Sequence, residues 1–197
     1  MEFRDAVGHR KMWRTFSDRP IDPPMVERIL DAARRAPSAG FSQGVSFLLL
    51  QGPEETGRFW DAVVREEDWP KEGLRRAPVV IVPMGSKDVY LNRYAEGDKG
   101  WTDLDEARWP VPYWIVDASF ASMVVLLAAV DEGLGALFFG LDSLDRYDAL
   151  RRAFGIPGEW TPIGVIALGH KEPDSEPSSR DTRPRRPFRD VVHRGSW

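Results

Sequence analysis

The stretch 114–132, WIVDASFASMVVLLAAVDE, is the part of the sequence that decides the fold class. Apolar or small residues occupy nearly every position, and Gly133 follows as a residue that commonly ends a helix. The pattern predicts one long helix, and a helix that is apolar on all faces has to be enclosed by protein. We therefore expect this helix at the centre of the fold or in an interface between subunits.

Shorter segments on both sides of this stretch carry strand and helix patterns in loose alternation. Asp22 is a suitable N-cap and Pro23 a suitable first residue for a helix that ends at Ala36, before Pro37. This order is typical of an α+β protein or of a three-layer α/β/α sheet protein. Further helices are expected over 54–65 and 144–154, and strands over 45–51, 76–84, 162–168 and, after a Gly-rich turn, within 134–140.

Composition limits the function classes. The chain has 197 residues, a net charge of −4 and no Cys, so we expect a single domain over 1–197 and no nucleic-acid partner. The absence of Cys excludes disulfides, thiolate metal sites and cysteine nucleophiles, and three His leave little for a metal site. The start has no leader pattern, and the apolar run near 121–130 is too short to span a bilayer, which predicts a soluble cytoplasmic protein without a membrane partner.

Two stretches lie outside the predicted helices and strands. The stretch 85–112 is polar and aromatic and longer than an ordinary connection, so it is a candidate lid or a partner-contact segment. The final stretch, 171–197, is rich in Pro, Ser and Arg, and it is either disordered or wraps another surface. If the first stretch is a lid, the residues expected to contact a substrate are Tyr90, Arg93, Tyr94 and Trp101.

Three segments could carry chemistry. Residues 10–14 hold three cations, a plausible phosphate grip or merely a solvated charged face. The loop 36–44, APSAGFSQG, could bring backbone close to a flat ligand or could simply be a turn. Residues 180–189 form a basic island, whose destination could be a phosphate, an acidic partner or solvent. Its arginines are Arg180, Arg183, Arg185, Arg186 and Arg189, with Asp181 as the only acid.

Taken in order, these segments resemble the flavin-dependent nitroreductase family. The family pattern is Arg-Arg-Ser-x-Arg-x-Phe near the start, then Ala-Pro-Ser-x-x-Asn-x-Gln-Pro-Trp, a long apolar helix followed by Gly-Leu-Gly, a buried strand ending in Leu-Gly, and a basic tail. The corresponding segments here are 10–16, 36–45, 133–135, 167–169 and 183–187. The resemblance spans nearly the whole chain, and five motifs in the same order are hard to obtain by accident.

The resemblance implies an α+β, three-layer α/β/α homodimer with a central, mainly antiparallel sheet. It also implies one FMN per subunit at the dimer interface, with 114–132 as the interface helix and 171–197 as an arm around the partner. By similarity, Arg10 and Arg14, together with Arg183 and Arg185, would hold the FMN phosphate and ribityl chain, and Lys11 and Met12 would also contact the cofactor. The flavin ring would be lined by Pro37, Ser38, Phe41 and Gln43, with a backbone N–H of Phe139 or Gly140 near its N5.

The implied activity is that of an NAD(P)H-dependent FMN oxidoreductase. Its hypothetical ping-pong cycle passes reducing equivalents through the flavin to a small organic oxidant such as a nitroaromatic or a quinone. The flavin carries this chemistry, so no catalytic side chain is required.

Departures from the family pattern leave alternatives open. Met12 replaces Ser, Phe41 replaces Asn, and Gly44-Val45 replaces Pro-Trp. A site with these departures from the family pattern is also consistent with a flavin-binding sensor or storage protein with little turnover. The Gly-Phe-Ser-Gln sequence resembles the branch that fragments reduced flavin, but that branch carries Asp at the position of Met12, so we rank this activity lower.

Overall fold

A computed structural model describes residues 1–64, 72–173 and 182–197, in which a five-stranded sheet lies between two layers of helices. The helices are α1 (Phe3–His9), α2 (Pro23–Ala33), α3 (Pro53–Val63), α4 (Glu72–Arg75), α5 (Lys87–Ala95), α6 (Tyr113–Asp131) and α7 (Leu144–Phe154). The strands are β1 (Val45–Gln51), β2 (Val79–Gly85), β3 (Gly135–Phe139), β4 (Thr161–Pro162) and β5 (Val165–Gly169).

The sheet is antiparallel throughout and has the strand order β1-β2-β5-β3, with the short β4 beside β2. Its register pairs Leu48 with Val82 and Ile81 with Ile166. β1 and β3 are therefore the outer strands, and β2 and β5 lie inside. This arrangement confirms the predicted antiparallel sheet.

The two faces of the sheet each carry an apolar core, because alternate residues of a strand point to opposite sides. On β2, Val80 and Val82 join a cluster formed with α3 and α7, whereas Val79 and Ile81 join a cluster formed with α2 and α6. Helices therefore cover both faces, and the predicted three-layer α/β/α fold is confirmed.

The long helix α6 lies against α2, β2 and β3, which confirms its predicted central position. By length and composition alone, the 19 residues of α6 could cross a membrane, but half of that window is buried inside the protein, as in a helix of a protein core.

Several predicted boundaries are wrong. The helix expected to reach Ala36 ends at Ala33, because a hydrogen-bonded turn over 34–36 separates it from Pro37. The strand expected from 76 begins at Val79, since α4 and Pro78 precede it. The strand expected over 162–168 is broken at Gly164, whose missing Cβ makes room for the ring of Phe138.

The structure also contains helices that the sequence pattern did not predict. The stretch 85–112 holds α5 and a 3-10 turn at Glu106–Arg108, so it is not one long irregular connection. α1 precedes the first cationic segment. The predicted helix over 54–65 appears as Pro53–Val63, and position 65 lies outside the described residues.

Because α6 packs closely against β2, we expect Gly85→Ala to lower the free energy of unfolding strongly. A Cβ at Gly85 would lie 2.2 Å from the carbonyl oxygen of Trp114, and backbone cannot move aside as a side chain can. We expect a loss of about 2 kcal/mol or more in the free energy of unfolding, measured by urea denaturation. Gly57→Ala is the control, because nothing lies within 4 Å of its Cβ position and Ala should stabilise α3 by about 0.5–1 kcal/mol. Equal midpoints for Gly85→Ala and wild type would contradict this packing.

Candidate functional site

Residues 10–14 lie along the outer edge of β3. Met12 forms a bridge with Ala136, and the N–H of Trp13 donates to the carbonyl of Ala136 at 3.1 Å. The side chain of Met12 packs against the cores on both sides of the sheet. Met12 thus fastens this segment to β3, and this packing explains why an apolar residue stands where the family pattern has Ser.

Cations gather around this edge. The Nζ of Lys11 lies 4.8 Å from the ring centroid of Trp13, and the Nζ of Lys171 lies 5.8 Å from the same ring. Lys171 arrives here because it forms a bridge with Phe16 directly after β5. The edge therefore combines Arg10, Lys11 and Arg14 with Lys171. The sequence analysis missed Lys171. It could have been found as the cation that stands two residues after the Leu-Gly end of β5. We call this group the cationic edge.

The far end of β3 carries the two residues predicted to lie beside a flavin. Phe139 is half-buried, and its ring stacks on Trp60 with centroids 6.1 Å apart and planes 9° apart. Gly140 is exposed, and the position of a Cβ there would meet no atom within 4 Å. The backbone that follows β3 is therefore open to a ligand.

The loop 36–44 between α2 and β1 has an unusual backbone. Gly40, Phe41 and Gln43 all adopt positive φ, at 60°, 55° and 55°. A positive φ is costly for residues other than Gly, so the surrounding contacts have to hold the loop in this shape. Phe41 is 74% exposed and Gln43 is also exposed. The loop therefore presents an aromatic ring and an amide to solvent.

Hydrogen bonds within the loop support this shape. The Oγ of Ser38 accepts from the N–H of Gln43 at 3.0 Å, and the Oγ of Ser42 donates to the carbonyl of Ala39 at 2.6 Å. Ser38 thus acts on the backbone of the loop, and Pro37 next to it is exposed.

A buried carboxylate anchors the loop from below. Asp117 of α6 is 2% exposed, and its Oδ2 accepts from the N–H of Ala39 at 2.8 Å and from the hydroxyl of Tyr90 at 2.7 Å. A buried carboxylate is costly unless it is hydrogen-bonded, so these donors and Asp117 stabilise one another. Sequence analysis missed Asp117, although it is the only charged residue in the interior of an otherwise apolar helix.

Helix α5 supports the loop from the side. The Nε of Arg93 donates to the carbonyl of Gly40 at 3.0 Å, and its guanidinium pairs with Asp98. The rings of Tyr94 and Tyr90 lie 2.6 Å and 2.5 Å from where a Cβ would stand on Gly40 and Gly44. Gly44 therefore stands where the family pattern has Pro because Tyr90 needs the space.

These contacts give part of the stretch 85–112 a structural role in the support of the loop 36–44. Tyr90 is fully buried with its hydroxyl bonded, which speaks against its predicted contact with a substrate. Tyr94 and Trp101 lie 4.9 Å apart and both pack on Trp109, in an aromatic cluster that covers the start of α6. Three of the four predicted substrate residues, Tyr90, Arg93 and Tyr94, thus hold the loop 36–44.

The structure does not bring the two halves of the predicted site together within one chain. The loop 36–44 leads into β1, whereas the cationic edge lies on β3, and three strand spacings of about 14 Å in total separate these strands. Arg183 and Arg185 are exposed on the final segment, and Arg180 lies outside the described residues.

The model of the nitroreductase family matches residues 7–170. This chain belongs to the nitroreductase family. Two relatives, from Methanothermobacter thermautotrophicus and Archaeoglobus fulgidus, are provisionally named NADH dehydrogenase/NAD(P)H nitroreductase. Both are 29% identical to this chain, with alignments that cover 92% of the chain and 82% of the first relative, and 95% of the chain and 94% of the second.

Solved nitroreductase structures confirm the fold. A nitroreductase family protein from Clostridium difficile has a TM-score of 0.73 at 21% identity, covering 100% of both chains. A provisionally named nitroreductase from Exiguobacterium sibiricum, solved in complex with FMN, has a TM-score of 0.73 at 18% identity, covering 98% of this chain and 97% of the other. The match to the nitroreductase fold thus extends over both edges of the sheet and the loop between α2 and β1.

Tyr90→Phe should weaken the anchor of this loop. The substitution leaves the buried Asp117 with one donor fewer, and we expect a loss of about 1–3 kcal/mol in the free energy of unfolding, measured by urea denaturation. Tyr113→Phe, at a residue that is 41% exposed and forms no hydrogen bond with Asp117 in the described part of the chain, should have no such effect.

The pH dependence of stability gives a second readout of the same anchor. Burial, followed by the hydrogen bond to Asp117, raises the pKa of Tyr90 above its ordinary value of 10.0. The unfolded chain then loses this proton first, so stability should fall as pH rises above about 10. This part of the pH dependence should be absent in Tyr90→Phe; an identical profile for the two proteins would contradict the buried position of Tyr90.

Proposed function

We propose that this protein is an FMN-dependent oxidoreductase that transfers reducing equivalents from NAD(P)H to a small organic oxidant. Family membership and the names of the relatives support the redox class. The observation that supports the proposal is that the two groups of residues predicted to contact a flavin, the cationic edge and the loop 36–44, lie at opposite edges of one sheet. The cationic edge and the loop 36–44 each face solvent, so a second copy can complete what one chain leaves open.

The residues at the two edges fit FMN. Guanidinium groups match phosphate oxygens, and Arg10 and Arg14 would hold the phosphate with the help of Lys11 and Lys171. The loop offers a ring at Phe41 and an amide at Gln43, which suit the apolar face and the polar rim of a flavin. Arg183 and Arg185 would join the phosphate if the arm reaches the same edge.

When bound, FMN would supply the redox chemistry, accepting reducing equivalents from NAD(P)H and passing them to an oxidant such as a nitroaromatic or a quinone in separate half-reactions. The protein would position the ring and set its surroundings. Cations at the phosphate end would favour a negatively charged ligand, and the exposed backbone at Gly140 would leave a polar N–H for the ring. Phe41 would exclude water from one side through apolar contact.

Exposed apolar residues on α6 support a homodimer. Tyr113, Phe120 and Met123 are 41%, 49% and 46% exposed on a helix whose other side is in the core. Phe3 and Val7 of α1, which packs on α6, are 71% and 47% exposed. Contiguous apolar surface of this kind marks interaction sites. In the dimer, α6 of one subunit would pack on α6 of the other.

The arm, residues 171–197, would embrace the partner. Phe188, Val191 and Trp197 are 72%, 58% and 100% exposed, and a segment with exposed apolar side chains needs a surface to cover them. In the described part of the chain, β1 pairs on one side only, and such an open edge is commonly covered. An arm from the partner along β1 would cover the open edge of this strand and would bury the apolar side chains of the arm.

The visible absorption spectrum of protein purified without added cofactor tests the proposal. We expect flavin bands that bleach on titration with NADPH under argon and return with menadione or a nitrofuran. Replacing Arg10 and Arg14 together with Gln should remove most of the bound flavin, whereas Arg34→Gln, in the turn that follows α2, should not. Bands that persist with NADPH would favour a sensor or storage protein. Colourless protein that takes up no FMN would contradict the proposal.

Phe120→Glu should disrupt the dimer. A carboxylate placed in an apolar interface loses its hydration, so we expect the dimer dissociation constant to rise at least about 100-fold. Light scattering after gel filtration measures the mass. Leu144→Glu is the matched control, because Leu144 is 82% exposed on α7, on the opposite layer. A dimer that survives Phe120→Glu would place the interface elsewhere.

A further inference from the structure

A 3-10 turn over Ala39–Phe41 forms the centre of the loop 36–44. The N–H of Phe41 donates to the carbonyl of Ser38 at 2.9 Å. The N–H and the Oγ of Ser42 both donate to the carbonyl of Ala39, at 3.1 and 2.6 Å. Ala39 therefore lies in the middle of this network, and a shift of Ala39 would also move Phe41, the ring proposed to contact the flavin.

The backbone of this loop is not one that a free chain would keep. Phe41 and Gln43 both have a φ of 55°, in the left-handed region, where residues with a Cβ meet steric repulsion. Both residues are exposed, so the packing of their own side chains does not hold them there. Their conformation has to be imposed by contacts on neighbouring residues.

Two contacts from other elements hold the residues that precede Phe41. Asp117 accepts from the N–H of Ala39 at 2.8 Å, and Arg93 donates to the carbonyl of Gly40 at 3.0 Å. The side chain of Arg93 is 23% exposed, whereas Asp117 is only 2% exposed. A charged acceptor that is shielded from water makes a stronger hydrogen bond than a neutral or solvated one. Asp117 thus ties the turn to the core helix α6.

The stability of the core does not by itself require a carboxylate at this position. Replacing a buried polar pair by apolar residues of similar shape is often neutral or even stabilising. As far as packing is concerned, Asp117 and Tyr90 could therefore be Leu and Phe. The carboxylate is explained if its function is to hold the N–H of Ala39.

We propose that Asp117 is a positioning residue for the flavin. It acts through the N–H of Ala39 and keeps Phe41 and Gln43 in the conformation in which they contact the ring. The affinity for FMN therefore depends on the Asp117 carboxylate beyond the effect of this residue on stability. This inference rests on the proposed function, and its test separates the failure of one from the failure of the other.

Titration of the flavin-free, full-length protein with FMN, followed by the change in flavin fluorescence, measures this affinity. Asp117→Asn keeps the shape of the side chain and one acceptor oxygen but removes the charge, so we expect the dissociation constant of FMN to rise about tenfold. Ser122→Ala is the matched control. Ser122 is also buried on α6, but its Oγ donates to the carbonyl of Ala118 in the same helix, so the affinity should stay at the wild-type value.

A double variant with Tyr90→Phe and Asp117→Leu separates positioning from stability. It removes the carboxylate together with one of its donors, so the thermal midpoint should stay close to that of the wild type. The affinity for FMN should still fall at least about tenfold, because the N–H of Ala39 has lost its acceptor. Val63→Ala should do the opposite. Val63 is buried in the core on the other face of the sheet from α6, so the midpoint should fall while the affinity is unchanged.

Amide hydrogen exchange, followed by NMR, gives a readout that needs no flavin. In the flavin-free protein, the N–H groups of Ala39 and Gln43 should exchange faster in Asp117→Asn than in the wild type or in Ser122→Ala.

Equal FMN affinity in the wild type, Asp117→Asn and the double variant would overturn the proposal and leave the flavin function standing. Unchanged exchange at Ala39, or a loss of affinity in Val63→Ala as large as in Asp117→Asn, would overturn it as well. A wild-type protein that binds no FMN would instead contradict the proposed function, and this inference with it.

Discussion

The burial of both faces of β2 and β5 is the constraint on which the rest of the structure depends. Every residue of these two strands is buried, so helices have to cover the sheet on both sides. Polar groups are then excluded from the middle of the sheet and collect at its two outer strands. The cationic edge on β3 and the loop before β1 follow from this. Because they lie at opposite edges, the proposed flavin site would need residues from two chains.

Helix α6 connects this core to the proposed site and to the proposed partner. Its buried side packs on α2, β2 and β3, its Asp117 holds the loop through Ala39, and its exposed side carries Phe120 and Met123. A loop with three left-handed residues would not keep its shape without such anchors. Core packing, loop geometry and the proposed dimer surface are thus linked through one helix, and a change in α6 should affect all three.

The sequence predicted those parts of the fold that local signals determine. The strand 45–51 and the helix 144–154 have the predicted bounds, because Gly52 and Gly155, both at positive φ, follow them. The family and the three-layer fold are also confirmed. Contacts between distant residues could not be predicted in this way. Asp117 and Ala39 lie 78 positions apart, and the burial of Tyr90 depends on its packing against Gly44. The stretch 85–112 was therefore interpreted as a lid or a partner-contact segment, and its support of the loop 36–44 was missed.

Complementation between two variants tests the central claim, that one FMN site is built from two chains. One variant carries Arg10→Glu and Arg14→Glu at the cationic edge, and the other carries Phe41→Glu and Gln43→Glu in the loop. Each alone should bind no flavin. After unfolding and refolding together in equal amounts, half of the dimers should be mixed and each should hold one intact site, so flavin absorbance should return to about a quarter of the wild-type level. No return of flavin in correctly folded, mixed dimers would contradict the account.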